Sequence, residues 1–368
     1  MKRIAALAVA GLIMVPAAAR AATTTTLAAL PGAAQALTAY GGWVVWSARD
    51  ATGMWYLTSW HDGQVERLPA APRSSPFDAD AGPDGQGRPT LVYSRCTRDP
   101  STTNNTAPVP DWATARGCRL YLQTLGHGHE RRLGGVLTGA RTDSNYAPSI
   151  WGDRIAFARL ASRAHTAQIL LYRNGARLHR LAGGTPPCVH TITSCTPKQG
   201  HAGALALDLG PRVLALSWLI RAPNVGGIAD GTELLAVPLD GHANTLAESG
   251  FFSGTCGALT PNSPNAAGTG VAYLLNIGGD DCSQDSGSFQ LFSPGGARQA
   301  APFPSSPLPV AGARDGAITY WIGDVKPHPD TFYSYGDCVS APSACSLMRS
   351  DSTPYQPSPR RRVLPPTY

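Results

Sequence analysis

The sequence predicts an all-β fold, and within that class a six-bladed β-propeller built from four-stranded antiparallel blades. Three observations support it. First, 40 Gly and 32 Pro among 368 residues, with only 15% charged residues, favour turns over helices, while 43% hydrophobic residues argue against disorder. Second, a short apolar run recurs six times, beginning at residues 43, 90, 155, 213, 271 and 318. Third, a strand–turn–strand pattern follows each run, and self-similarity at such a period signals a repeat architecture.

In chain order the runs are "WVVW" at 43–46, "TLVY" at 90–93, "IAFA" at 155–158, "VLAL" at 213–216, "VAYL" at 271–274 and "ITYW" at 318–321, each closely preceded by Gly or a Gly-Asp type turn. The first five downstream hairpins read "YLTSWHDGQVERL", "LYLQTLGHGHERRL", "ILLYRNGARLHRL", "LLAVPLDGHANTL" and "QLFSPGGARQA". Asp62-Gly63, Asn174-Gly175 and Asp240-Gly241 suit two-residue turns, whose backbone needs positive φ. The sixth hairpin, "CSLMRSDSTPYQ", is weaker, and "RRVLPP" is the candidate for its last strand. Each unit therefore reads as an inner strand, the apolar run, a third strand and a fourth. Blades that pack face to face bury both sides of each sheet, which accounts for nearly continuous apolar runs. Radial repetition protects sheet edges without closing a barrel. The predicted blades span 34–69, 76–134, 146–183, 203–249, 257–302 and 307–364, in one domain covering 22–368. One or two β-sandwiches are the alternative architecture, but sandwiches rarely repeat six times in this way.

The segments "PSIWGDRIAFARL…AQILLYRNGARLHRL" and "GPDGQGRPTLVYSRC…CRLYLQTLGHGHERRL" resemble the repeats of TolB-like propellers. The shared pattern is Pro-Ser-x-x-Gly-x-x-Ile-Ala-Phe, an insertion, then a strand, a Gly turn and Arg-x-Leu. It is good in blades two and three, fair in one and four, and thin in five and six. Gly82-Pro83-Asp84-Gly85 approaches the family's Ser-Pro-Asp-Gly turn, with Gly82 in place of the Ser. The resemblance implies a fold and a periplasmic or extracellular setting. It offers no catalytic residues to carry over.

Met1-Lys2-Arg3, an apolar run over 4–15 and "PAAARAA" form the expected secretory signal, cut after Ala21. The run is short for a bilayer, and no later segment is long and apolar enough to cross as a helix. The mature chain is thus expected to be exported, with no transmembrane segment. The formal charge of +6 falls to +3 without Lys2, Arg3 and Arg20, and Arg360, Arg361 and Arg362 account for that remainder. A neutral body of this kind excludes the basic face that nucleic acid requires. Eight cysteines, an even number in an exported chain, read as disulfides. Their order suggests Cys96–Cys118, Cys188–Cys195, Cys256–Cys282 and Cys338–Cys345. No pair has the C-x-x-C spacing of zinc or thioredoxin-like sites.

Alternating strand direction sorts the links onto two faces. Those between strands one and two, and three and four, form a face of short turns. Those between strands two and three, and between blades, form a face of long insertions at 96–118, 161–166, 221–231, 278–286 and 323–344, plus the inter-blade segment 183–203. All eight cysteines belong to the insertion face. Closing a loop of the 96–118 size is worth roughly 3 kcal/mol in the chain-entropy picture. Covalently fixed loops suggest a preformed surface, although protection from proteolysis explains them equally. Candidate contacts there are Asp111, Trp112, His190, His201, Asp280, Asp281, His328, Tyr333 and Tyr335, suited to a protein, peptide or glycan. Ordinary loop packing uses the same residue types.

The other usual location is the channel. In "FDADAG", Asp78 and Asp80 fall on one side of a period-two strand, and "LALDLG" puts Asp208 where Asp80 falls. Carboxylates there could hold calcium, which takes several oxygen ligands. However, "DADAGPDG" lacks the acid at position five of the usual D-x-D-x-D-G loop, so lining a wet channel or bonding to backbone N–H groups is the simpler role. No other cofactor is expected.

The four Glu residues (Glu66, Glu130, Glu233 and Glu248) fall on outer strands, so glycosidase chemistry would rest on Asp alone. There is no G-x-S-x-G elbow, P-loop or Rossmann fingerprint. "HGHERRL" at 127–133 approaches H-E-x-x-H, but alignment with "HDGQVERL" and "RNGARLHRL" makes it a hairpin, where helical zinc geometry does not arise. The expectation is a secreted, non-enzymatic binding or scaffold module that engages an envelope or extracellular protein or peptide through its loop face. Its rival is an extracellular hydrolase or lyase acting on polysaccharide with Asp and His at the channel mouth.

Overall fold

The computed structural model describes residues 23–102, 110–112, 114–162, 164, 166–173, 177–183, 201–225, 228–253, 258–278, 284–293, 299–300, 309–324 and 345–351. These form a six-bladed propeller of four-stranded antiparallel blades, with one 3-10 turn at Gly135–Leu137. The first described strand is β1 (Thr23–Ala29). Blade one is β2 (Ala34–Tyr40), β3 (Trp43–Arg49), β4 (Trp55–His61) and β5 (Gln64–Arg67). Blade two is β6 (Asp80–Pro83), β7 (Pro89–Arg95), β10 (Arg119–Thr124) and β11 (Arg131–Arg132), with β8 (Ser101–Thr102) and β9 (Pro110–Asp111) paired inside its insertion. Blade three is β12 (Ser144–Trp151), β13 (Arg154–Leu160), β14 (Gln168–Arg173) and β15 (His179–Gly183). Blade four is β16 (His201–Leu209), β17 (Val213–Val225), β18 (Ile228–Pro238) and β19 (Thr245–Ser253). Blade five is β20 (Ala258–Ala267), β21 (Gly270–Gly278), β22 (Gln284–Phe292) and β23 (Gln299–Ala300). Blade six contains β24 (Pro309–Asp315), β25 (Ile318–Asp324) and β26 (Cys345–Asp351).

All six apolar runs lie in second strands, and their alternation explains why both parities are apolar. Val44 and Trp46 pack against Ala313, Tyr320 and Ile322 of blade six, whereas Val45 packs against Leu91 and Tyr93 of blade two. Val92 meets Ile155 and Phe157, while Ala156 and Ala158 meet Leu214 and Leu216. Val213 and Ala215 likewise meet Val271 and Tyr273. Fully burying a side chain of the Val or Phe class contributes about 1.5–3 kcal/mol, so these seams are the core. The Asp62-Gly63 turn has φ of 48° and 80°, as a two-residue hairpin of this hand requires.

Two expectations are corrected. Blade six is not completed from the C-terminal side: its sheet order is β1-β26-β25-β24, so its outermost strand is β1, from the N-terminal side of blade one. Thr23 pairs with Asp351 and Ala29 with Ser346, and the Leu30 N–H donates to the Cys345 carbonyl at 2.9 Å. "TTTTLAA" lacks the apolar alternation that marks the other strands, and β-branched Thr supplies its strand preference instead. The "RRVLPP" segment lies outside the described residues. The second correction concerns 221–231, expected as a loop. There β17 and β18 continue as a paired ribbon, with Arg221 opposite Asp230 and Val225 opposite Ile228. Blades four and five also join through Phe251–Leu259 and Phe252–Ala258 pairing, giving one eight-stranded sheet.

Candidate functional site

The inner strands carry a ring that the register defines. Thr38 lies opposite Val45, Asp80 opposite Val92, Ser149 opposite Ala156, Asp208 opposite Ala215, Asn265 opposite Ala272 and Ala313 opposite Tyr320. At five seams the side chain at this level accepts the backbone N–H of the following residue's counterpart in the next blade. Ala81 N–H donates to Thr38 Oγ1 (2.9 Å), Ile150 N–H to Asp80 Oδ2 (3.2 Å) and Leu209 N–H to Ser149 Oγ (2.6 Å). Ala266 N–H donates to Asp208 Oδ2 (2.9 Å) and Arg314 N–H to Asn265 Oδ1 (2.8 Å). Each bond satisfies a backbone donor where two sheets meet away from water.

Asp80 is the hub of this ring. The Thr38 hydroxyl donates to its Oδ1 at 3.1 Å and the Ser149 hydroxyl to its Oδ2 at 2.6 Å. Burial pushes the Asp80 carboxyl up to about 7, against the pull of these donors, because a carboxylate that is 6% exposed loses most of its hydration. Burial and the Asp80 charge also push Asp208 upward, while the Ala266 N–H opposes. Asp78 precedes β6 and faces the same way. It accepts from Ser94 N–H (3.0 Å), Ser94 Oγ (2.6 Å) and Ala147 N–H (2.6 Å), with Arg73 Nη1 at 3.6 Å. Among the described residues no three His, Cys, Asp or Glu side chains gather as a metal group would need. For calcium, the Asp80 oxygens would have to exchange the hydroxyl and N–H donors that now hold them.

The signal for the ring was present in the sequence but faint. Thr38, Ser149, Asn265 and Ala313 each stand three residues before a turn glycine with φ near +60° (Gly41, Gly152, Gly268 and Gly316). Thr, Ser and Asn at that spacing attract no notice as chemistry, so only the two Asp members were singled out. Gly82 shows how close the seam is there, since an added Cβ would lie 2.1 Å from the Ile150 carbonyl oxygen.

On the insertion face, Cys96 and Cys118 are joined by a disulfide and the insertion between them is anchored inward. Trp112 is 3% exposed and stacks on Tyr146 with ring centroids 5.2 Å apart. Arg73 lies over Trp112 and Phe77, and donates to the Ser94 carbonyl and the Ser75 hydroxyl. Trp112 and the buried Asp111 therefore plug the base of the insertion rather than presenting a contact surface. His201 begins β16 at the insertion-face end, opposite Arg221. His190, Asp280, Asp281, His328, Tyr333 and Tyr335 lie outside the described residues, as do Cys188–Cys195, Cys256–Cys282 and Cys338. Cys345 is disulfide-bonded.

Two of the glutamates, Glu130 and Glu248, are also engaged. Glu130, within the "HGHERRL" hairpin, accepts from the Tyr93 hydroxyl at 2.5 Å and pairs with Arg95. Tyr273 donates to Glu248 at 3.1 Å. Leu68, Leu133 and Leu181 pack in three different inter-blade clusters, the first two buried and the third partly so, and the near-zincin segment is therefore a copy of the repeat. Among the described residues no helix is long and apolar enough to cross a membrane.

No family model matches the chain, and no curated protein does. Among solved structures it is similar to the α-L-arabinanase of Penicillium chrysogenum, at 9% identity and a TM-score of 0.48, covering 89% of this chain and 98% of that one. It is also similar to a TolB candidate from Agrobacterium tumefaciens, at 14% identity and a TM-score of 0.35. That match covers 57% of this chain and 62% of the other, less than two thirds of its length. The β-propeller domain of the trilobed protease of Pyrococcus furiosus matches at 8% identity and a TM-score of 0.34, covering 79% and 91%. These likenesses concern the fold alone, the six-bladed propeller that the sheet order already defines.

Proposed function

We propose that this propeller is an exported, non-enzymatic binding or scaffold module that engages an envelope or extracellular protein or peptide through its insertion face. The observation that carries the reading is the blade-two insertion, closed by Cys96–Cys118 and pinned by Trp112 on Tyr146. A loop fixed at its neck and its base meets a partner without a large ordering cost. The Cys96–Cys118 bridge also fits an oxidising compartment. Asp78, Asp80, Glu130 and Glu248 all hold hydrogen-bond partners within the fold, which suits a scaffold better than acid–base work. The test is capture from native envelope extracts by the mature protein and by a variant with 97–117 replaced by a short Gly-Ser link and Cys96 and Cys118 changed to Ser. A protein held by the first and lost by an equally folded second supports the reading; identical capture contradicts it.

The rival reading, a polysaccharide hydrolase or lyase, is favoured by one observation: the Asp80 carboxyl at about 7 sits in the range of a general acid. Depolymerisation of a polysaccharide by the wild type that disappears in Asp80→Asn would support it.

A further inference from the structure

We infer that Arg314 forms a binding site for a small anion, through a carboxylate or phosphate group, at the turn-face end of the seam between blades five and six. This goes beyond the loop-face reading, because the turn face is at the other end of the strands.

The register makes Arg314 conspicuous. It follows Ala313, so its counterparts are Ala39, Ala81, Ile150, Leu209 and Ala266. Each of these apolar residues packs toward the preceding blade. Ala39 joins blade-six residues, Ala81 joins Val45 and Leu57, Ile150 joins Val92 and Leu120, Leu209 joins Ala156, and Ala266 lies against Val213 and Ala215. By the same register Arg314 carries a guanidinium to the position where the other five blades have methyl or butyl groups.

Nothing among the described residues compensates that charge. The buried Arg314 Nε has no hydrogen-bond partner, and Nη2 reaches only the Gly316 carbonyl at 3.3 Å. Burial pulls the guanidinium below its ordinary pKa, and no carboxylate contributes to restoring it. A buried cation without a counter-charge is costly, and native folds resolve that cost by pairing. Nε is buried while Nη2 reaches the exposed Gly316 turn, so an anion arriving from that face meets a planar fork of N–H donors suited to carboxylate or phosphate.

The test exploits the other five blades, which show that an apolar residue fits here. Thermal unfolding of the mature protein and of Arg314→Leu is followed in inorganic phosphate and in citrate, each against sodium chloride of matched ionic strength. The wild type should gain roughly 2 °C or more from one or both anions beyond the salt control. Arg314→Leu should show no such gain and should unfold at a higher temperature than the wild type in low salt. Response to phosphate alone identifies a phosphate site, to citrate alone a carboxylate site, and to both a general oxyanion site. Equal shifts in both proteins overturn the inference. So does a loss of stability in Arg314→Leu, which would mean that the chain already supplies the counter-charge. Calorimetric titration of phosphate and of citrate into the wild type and Arg314→Gln gives an independent reading. Heat from either anion in the wild type and none in the variant supports the site; no heat from either, or the same heat in both proteins, rejects it.

Discussion

At the seam between blades two and three, Asp80 accepts the Ile150 N–H and the Ser149 hydroxyl. At the seam between blades six and one, the same register holds Ala313, which has no acceptor for Ala39. Apolar packing of Ala311, Ala313, Tyr320 and Ile322 on Ala39, Val44 and Trp46 holds that junction, with one bond from Gly42 N–H to Asp315 Oδ2 nearer the turn. The first seam also carries a Gly152 N–H bond to the Pro83 carbonyl, and both seams bury apolar side chains. The comparison therefore separates what a propeller needs, buried apolar area, from what it adds at particular seams, polar stitches that fix one blade against the next.

The largest way to break the comparison is Asp80→Ala. It strands the Ile150 N–H and two hydroxyls in a buried seam, and should cost about 3 kcal/mol or more in urea unfolding, since each orphaned buried donor costs about 1–3 kcal/mol. A second test uses pH. Asp80 titrates near 7 in the fold, above its ordinary value of 3.8, so the folded state holds a proton that the unfolded chain releases. Stability should then fall as pH rises from about 4 to about 7 and level off above. Asp208, also raised, adds in the same direction. Asp80→Asn, which keeps an acceptor without the charge, should flatten this slope in melting curves recorded across that range; an unchanged slope would place the titration elsewhere. Asn265→Ala removes the acceptor of the Arg314 N–H and the donor to the Ser263 carbonyl, and should cost about 1–2 kcal/mol. Ala313→Ser supplies the stitch that the sixth seam lacks, and should stabilise by about 0.5–1 kcal/mol. A gain there, measured by denaturant midpoint, would show that the gap is a matter of side chain and not of spacing.

The fold was legible because its apolar runs repeat and because both faces of each blade are buried, as Val44, Val45 and Trp46 illustrate. The closing strand was not, because Thr23–Ala29 carries no alternation and lies beside a segment that reads as a signal. The paired ribbon of blade four is not legible as such, because β17 runs on past Pro223 to Val225 and pairs there with Ile228 of β18. At the candidate site, aspartates were visible by residue type, but their role depends on partners 42 to 70 residues away, which no local pattern contains. The same holds for Trp112: whether an aromatic in a polar loop is a contact or loop packing depends on Tyr146 and Arg73, which close around it.

The position of β1 also sets a timetable. Thr24 meets Ser350 across 326 residues, so β1, the earliest synthesised of the described strands, must wait for β26 before it has its neighbour. At a synthesis rate of about 5–20 residues per second, that wait is on the order of tens of seconds. An apolar strand left unpaired for so long would invite association with other nascent chains. A run of threonines keeps β-forming backbone while presenting hydroxyls to water, so the least conspicuous strand in the sequence is the one best able to wait.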